Sequence, residues 1–127
     1  MESLAPTFKI SADQDIGEVQ FACTGLWDMD TMVEFQRELV AASKPMFERG
    51  QKMRSLADLR GFSAQTKEVS DAIRIVVVEA IKLGTERTAI IVDSTLVGMQ
   101  YRRLNEGLPL EIFDNRMDAI AWLRAKD

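Results

Sequence analysis

The sequence contains no histidine. That absence removes imidazole general bases, Ser-His-Asp and Cys-His nucleophile pairs, and histidine-ligated zinc together. A single cysteine, Cys23, excludes an internal disulfide and a Cys-X-X-Cys site, and this usage fits a reducing cytoplasm. Its place in the alternating run VQFAC marks it as a core thiol rather than a reactive one. No GxGxxG or Walker A pattern is present to cradle a nucleotide phosphate. No apolar run approaches the length of a membrane span, and the opening MESLAPTFKI lacks the apolar core of a secretory signal. Sixteen basic residues face 20 acidic ones, for a net charge of −4 with no basic block. Nucleic acid and anionic membranes are therefore not expected partners.

What remains is the material of one globular domain spanning residues 1–127, with 46% hydrophobic and 28% charged residues. TFKISA and EVQFACT alternate with period two on either side of a short link, which predicts an antiparallel hairpin. The period then changes. Met32, Phe35, Leu39 and Ala42 fall at helical spacing behind Asp28 or Asp30 as cap, and Pro45 is expected to break or kink that helix. MFERG continues as a last turn that Gly50 ends, and KMRSLADL reads as a strand.

The stretch AQTKEVSDAIRIVVVEAIKLG is the ambiguous one, because Ile75-Val76-Val77-Val78 favours a strand by propensity. Its length and closing glycine favour a helix whose inner face is Val69, Ile73, Val76, Val77 and Ala80. TAIIVD then predicts a strand buried on both faces. A helix follows, capped by Ser94 or Thr95, with Val97, Tyr101 and Leu104 inward. LEIF is a last strand, and a final helix is expected to be capped by Asp114, with Met117, Ile120 and Leu123 inward. Trp27 plugs one end of the core and Trp122 lies at its periphery. The order is ββαβαβαβα: an α/β fold with an N-terminal hairpin and a mostly parallel sheet covered by about four helices.

Four stretches in that order carry a resemblance: TGLWDMDTMVEF, DLRGF, AIIVDSTLVGMQYRRL and IFDNRMDAIAWLR. Together they resemble the SpoIIAA-like branch of the STAS fold, the family of anti-sigma-factor antagonists and their relatives. The resemblance implies a regulatory module in which a partner kinase phosphorylates a serine in an Asp-Ser-Ser/Thr-Gly-like turn opening the second helix. This chain reads SAQTKE there, with no aspartate before Ser63 and no glycine after it. Ser63 and Thr66 are therefore candidates for a phospho-acceptor or, more simply, for a helix cap. The architecture also resembles lipid-binding SEC14-type domains, which implies a small apolar ligand as an alternative; Met32, Phe35, Met99 and Tyr101 would line its pocket.

Chemistry beyond binding has one foothold. Asp58, Asp93 and Asp114 each end a predicted strand, at the edge where open α/β sheets place ligands. Asp58 and Asp93 are the candidate carboxylates for Mg²⁺ or phosphoryl transfer, against a plain structural use in turns and caps. Tyr101 turns inward at its helical position, which leaves Arg102 and Arg103 on a solvated face. Ile75 and Val78 fall off the inner stripe of their helix, beside Asp71 and Lys82. Three uses fit them: packing under neighbouring helices, a subunit contact, or an apolar cleft. The reading that follows is a non-catalytic cytoplasmic interaction module, with no cofactor or metal implied. Its partner would be another protein or a second copy, met at Arg60, Phe62, Ile75 and Val78.

Overall fold

The structure, a computed structural model, describes residues 5–126. The N-terminal hairpin is β1 (Thr7–Asp13) and β2 (Glu18–Thr24), paired antiparallel from Thr7↔Thr24 to Asp13↔Glu18. Its turn closes on Gly17 at φ +65°, where a Cβ would stand 2.7 Å from the carbonyl oxygen of Lys52. Only glycine fits there.

Helix α1 (Met29–Phe47) leads to β3 (Met53–Asp58), α2 (Lys67–Lys82) to β4 (Thr85–Ile91), and α3 (Thr95–Leu104) to β5 (Leu110–Phe113). The chain ends with α4 (Arg116–Arg124). The sheet order is β1-β2-β3-β4-β5, with every pair after the hairpin parallel. Three successive parallel steps in one direction, each by a right-handed crossover, place α1, α2 and α3 on the same face. No crossover constrains α4, and it packs on the other face against β3, β4 and β5.

The core divides accordingly. Trp27, Met32, Phe35, Leu59, Phe62, Val69, Ile73, Ile90, Val97 and Tyr101 form the main cluster under the three helices. Leu56, Ala89, Ile91, Ala119 and Leu123 form a second cluster under α4. β4 supplies both, with Ile90 to one and Ala89 and Ile91 to the other, as a strand buried on two faces must. Trp27 sits at the centre of an aromatic group, its ring 5.1 Å from Phe35 and 5.3 Å from Phe62. Trp122 is half-buried at the edge, against Phe113 and under the Arg87 guanidinium.

Residues 67–82 are helical in spite of the β-branched run. Thr66 caps the first turn by accepting the Val69 N–H, Glu68 and Lys82 complement the dipole, and Val69 and Ile73 bury inward. Tertiary burial and capping outweigh propensity differences of a few tenths of a kcal/mol per residue. Asp28 and Ser94 cap α1 and α3 as expected.

Of the break or kink expected at Pro45, the break does not occur: α1 runs on through Pro45 to Phe47, as the expected last turn requires. Ala41, whose carbonyl loses its partner there, is exposed, while fully buried Met46 packs with Val19 and Met53 and holds the last turn down. The cap of α4 is Asn115 rather than Asp114: Asn115 Oδ1 accepts the Asp118 N–H at 2.9 Å. Met117 is 80% exposed. With the inward stripe at Ala119 and Leu123, Met117 lies about 200° around the axis and faces out.

Candidate functional site

The carboxyl ends of the parallel strands meet at two loops. The β2–α1 loop (25–28) and the β3–α2 loop (59–66) are bound by Gly25 N to Gly61 O at 2.9 Å and Ser63 N to Gly25 O at 3.1 Å. Gln65 locks them. Its buried side chain accepts the Trp27 N–H at 2.8 Å and donates to the carbonyls of Gly25 and Ser63. Gln100 on α3 completes the junction by accepting the Gln65 N–H and donating to Gln65 O and to Ser70 Oγ on α2. Two glutamines thus tie both loops, α2 and α3 into one unit. Neither stands out in the sequence, because the partners of Gln65 lie up to 40 residues away.

Within that junction the predicted residues have distinct positions. Thr66 serves as the α2 cap. Ser63 is half-buried, and its hydroxyl makes no hydrogen bond among the described residues. Asp58 receives Arg60 in a forked pair, Nε to Oδ1 at 2.9 Å and Nη2 to Oδ2 at 2.7 Å. Hydrogen bonding from Arg60 holds the Asp58 carboxyl below its usual range against the opposing effect of burial. Asp93 accepts the Gly61 N–H across the same turn, at 3.2 and 3.3 Å. The turn 58–61 therefore occupies both carboxylates. Among the described residues no group of three or more His, Cys, Asp or Glu side chains is placed to hold a metal ion.

Phe62 is 4% exposed and packs edge-on against Trp27, so its side chain belongs to the core and not to a docking surface. Val78 is half-buried, while Ile75 stands 61% exposed on the outer side of α2. Beyond the expected residues, Leu96 and Met99 on α3 are 64% and 52% exposed. Both lie within the turn preceding Gln100, the residue that bonds to α2, so two adjoining helices carry large exposed apolar groups.

Two small apolar cavities lie beside α2. One of about 70 Å³ opens between α1 and α2, lined by residues including Val40, Phe47, Ala80 and Leu83. The other, of about 60 Å³, lies in the core against Phe21, Cys23, Met32, Phe35 and Tyr101. Leu39 and Val76 line both. Met99 faces solvent instead and lines neither. Burial pushes the Cys23 thiol and the Tyr101 hydroxyl well above their usual ranges, so both are neutral packing groups.

No protein-family model matches this chain, and no curated protein matches it. Solved structures do. An uncharacterised protein of the DUF3478 family with a SpoIIAA-like fold, from Shewanella loihica PV-4, aligns over 97% of this chain and 98% of its own, with a TM-score of 0.72 and 19% identity. An anti-sigma factor antagonist from Mycobacterium paratuberculosis aligns over 98% of this chain and 100% of its own, with a TM-score of 0.66 and 12% identity. At these identities the likeness establishes the fold: the chain has the SpoIIAA-like architecture.

Proposed function

We propose that this SpoIIAA-like chain is a non-catalytic regulatory module of the cytoplasm that docks a protein partner, another protein or a second copy. The docking surface is the outer side of α2 and α3. The observation that carries this reading is the exposure of Ile75, Leu96 and Met99 on helices whose relative position Gln65 and Gln100 fix. A β-branched isoleucine facing water gains nothing from burial and is not favoured by helix propensity, so a covering partner accounts for it best. Arg60, exposed and already aligned by Asp58, is on the turn that leads into α2. The similarity to an anti-sigma factor antagonist supports a protein-binding role. The absence of histidine and the engagement of Asp58 and Asp93 in the turn support a role without catalysis. The buried single cysteine suits a reducing compartment, and among the described residues no helix is long and apolar enough to cross a membrane.

The test is photo-crosslinking from position 75 or 117 in cells. The reading expects a discrete adduct from 75 and none from 117, which lies on the other side of the sheet. Equal adducts from both positions, or none from 75, would overturn it.

The two cavities favour a second reading, a module for a small apolar ligand. If Leu39 and Val76 swing aside, the spaces join into one slot reaching from the α1–α2 groove into the core. Native mass spectrometry of the purified protein decides: a retained apolar molecule supports the slot, and a clean unliganded mass opposes it.

A further inference from the structure

Helix α4 packs on β3, β4 and β5, and among the described residues the part of that face left uncovered is polar. Here β1 and β2 turn Lys9, Ser11, Gln20 and Ala22 outward, and with Leu56, Asp58 and Arg116 they line a concavity of about 340 Å³. Ala22 pairs with Lys9 on one side and Asp58 on the other, so it forms the low middle of the site. Leu56, paired with Gln20, is buried at the edge of that floor in the cluster under α4.

One wall is a row of hydrogen bonds. Arg124 grips the buried Glu18 at 2.9 and 2.8 Å, Gln20 Nε2 donates to Glu18 Oε1 at 2.6 Å, and Arg116 Nη2 donates to Gln20 Oε1 at 2.9 Å. The row orients Arg116 through a neutral amide, leaving its other N–H donors without hydrogen-bond partners among the described residues. The opposite wall carries Lys9, which has no hydrogen bond or ion pair among the described residues. The Ser11 hydroxyl is likewise free among them. Among the described residues of the lining the carboxylate is Asp58, which takes its hydrogen bonds from Arg60, and Arg116 acts on Asp58 and Glu18 only through space. Two cations without carboxylate hydrogen bonds thus flank a small apolar floor, in a chain whose net charge is −4.

We propose that this concavity binds a small organic carboxylate. Its oxygens lie between Arg116 and Lys9, and its aliphatic body rests over Ala22. A planar carboxylate matches the guanidinium fork, and the Asp58 charge at the rim disfavours a doubly charged phosphate. This site is on the opposite side of the sheet from the outer surface of α2 and is independent of any protein docked there.

The experiment is titration of the ¹⁵N-labelled full chain with hexanoate, with hexanol and inorganic phosphate as comparison probes. Hexanoate is expected to give saturable amide shifts at Lys9, Ser11, Gln20, Ala22 and Arg116. Lys9→Gln and Arg116→Gln should each weaken it about tenfold, the worth of one charge-assisted contact. Added salt should weaken it further, and hexanol should not saturate. Ile75→Asp should bind hexanoate as the unaltered chain does. No saturable shift at millimolar hexanoate, shifts that persist in both charge variants, or tighter binding of phosphate would each overturn the proposal.

Discussion

The two faces of this sheet are built from the same strands, yet they are used differently. Under α1, α2 and α3 the strands contribute Phe8, Ile10, Phe21, Cys23, Ala57 and Ile90 to one continuous apolar cluster. On the other face the large apolar residues stop at Leu56, and the hairpin presents Lys9, Ser11 and Gln20 around the small Ala22. The cause is topological. Sequential right-handed crossovers commit three helices to one side and leave, among the described residues, the nine-residue α4 for the other. The contrast teaches that the strands themselves differ by face: their apolar burial concentrates under the three helices, and on the half-covered side the hairpin strands present polar groups.

The largest break of that contrast comes from the crowded face. Phe35→Ala removes the ring that touches Phe8, Phe21 and Trp27 and should cost about 3–5 kcal/mol, read as a fall in the urea midpoint. A loss no greater than that of an exposed substitution would show that the aromatic group does not hold this face together.

The polar face should respond to acid. Hydrogen bonding from Arg124 holds the Glu18 carboxyl below its ordinary value of 4.5. A depressed folded-state value means the stabilisation is present above the unfolded value and is lost as pH falls through the folded one. Stability should therefore decline on acidification below that ordinary value. Glu18→Gln should lower neutral-pH stability by about 1–3 kcal/mol and flatten the acid limb. An unchanged acid limb in the variant would remove Glu18 from the account.

A smaller effect sharpens the description of the junction between the faces. Thr66→Ala deletes one capping bond at α2 and should cost about 1 kcal/mol, while Ser63→Ala should change denaturant stability little. The reverse ranking would mean that Ser63, not Thr66, anchors the helix.

How much of this was legible in the sequence follows the range of the interactions involved. The hairpin, α2 and the two-sided β4 were legible because period, caps and breakers act within a turn or two. Between a break and a continuation at Pro45 the sequence did not decide, because what keeps the helix going is Met46 packing on Val19 and Met53, a contact between distant segments. Asp114 and Asn115 are both competent caps and adjacent in sequence, so only backbone geometry separates them. Met117 misled because the inward stripe of α4 depends on where that cap falls. At the candidate site, Ile75 was visible as an apolar residue off the inner stripe, whereas Phe62 was not visible as core. Gln65, Gln100 and the wall formed by Gln20 and Arg116 were silent: their roles come chiefly from pairings 30 to 96 residues apart.

The most direct test of the separation between faces is recovery of bound protein by three forms of the chain: unaltered, Ile75→Asp and Met117→Asp. Both substitutions fall at exposed positions and should alter folding stability by no more than about 0.5 kcal/mol. The account predicts that a protein retained by the unaltered chain is retained by Met117→Asp and lost from Ile75→Asp. Retention by Ile75→Asp together with loss from Met117→Asp would put the docking surface on the α4 side and contradict it.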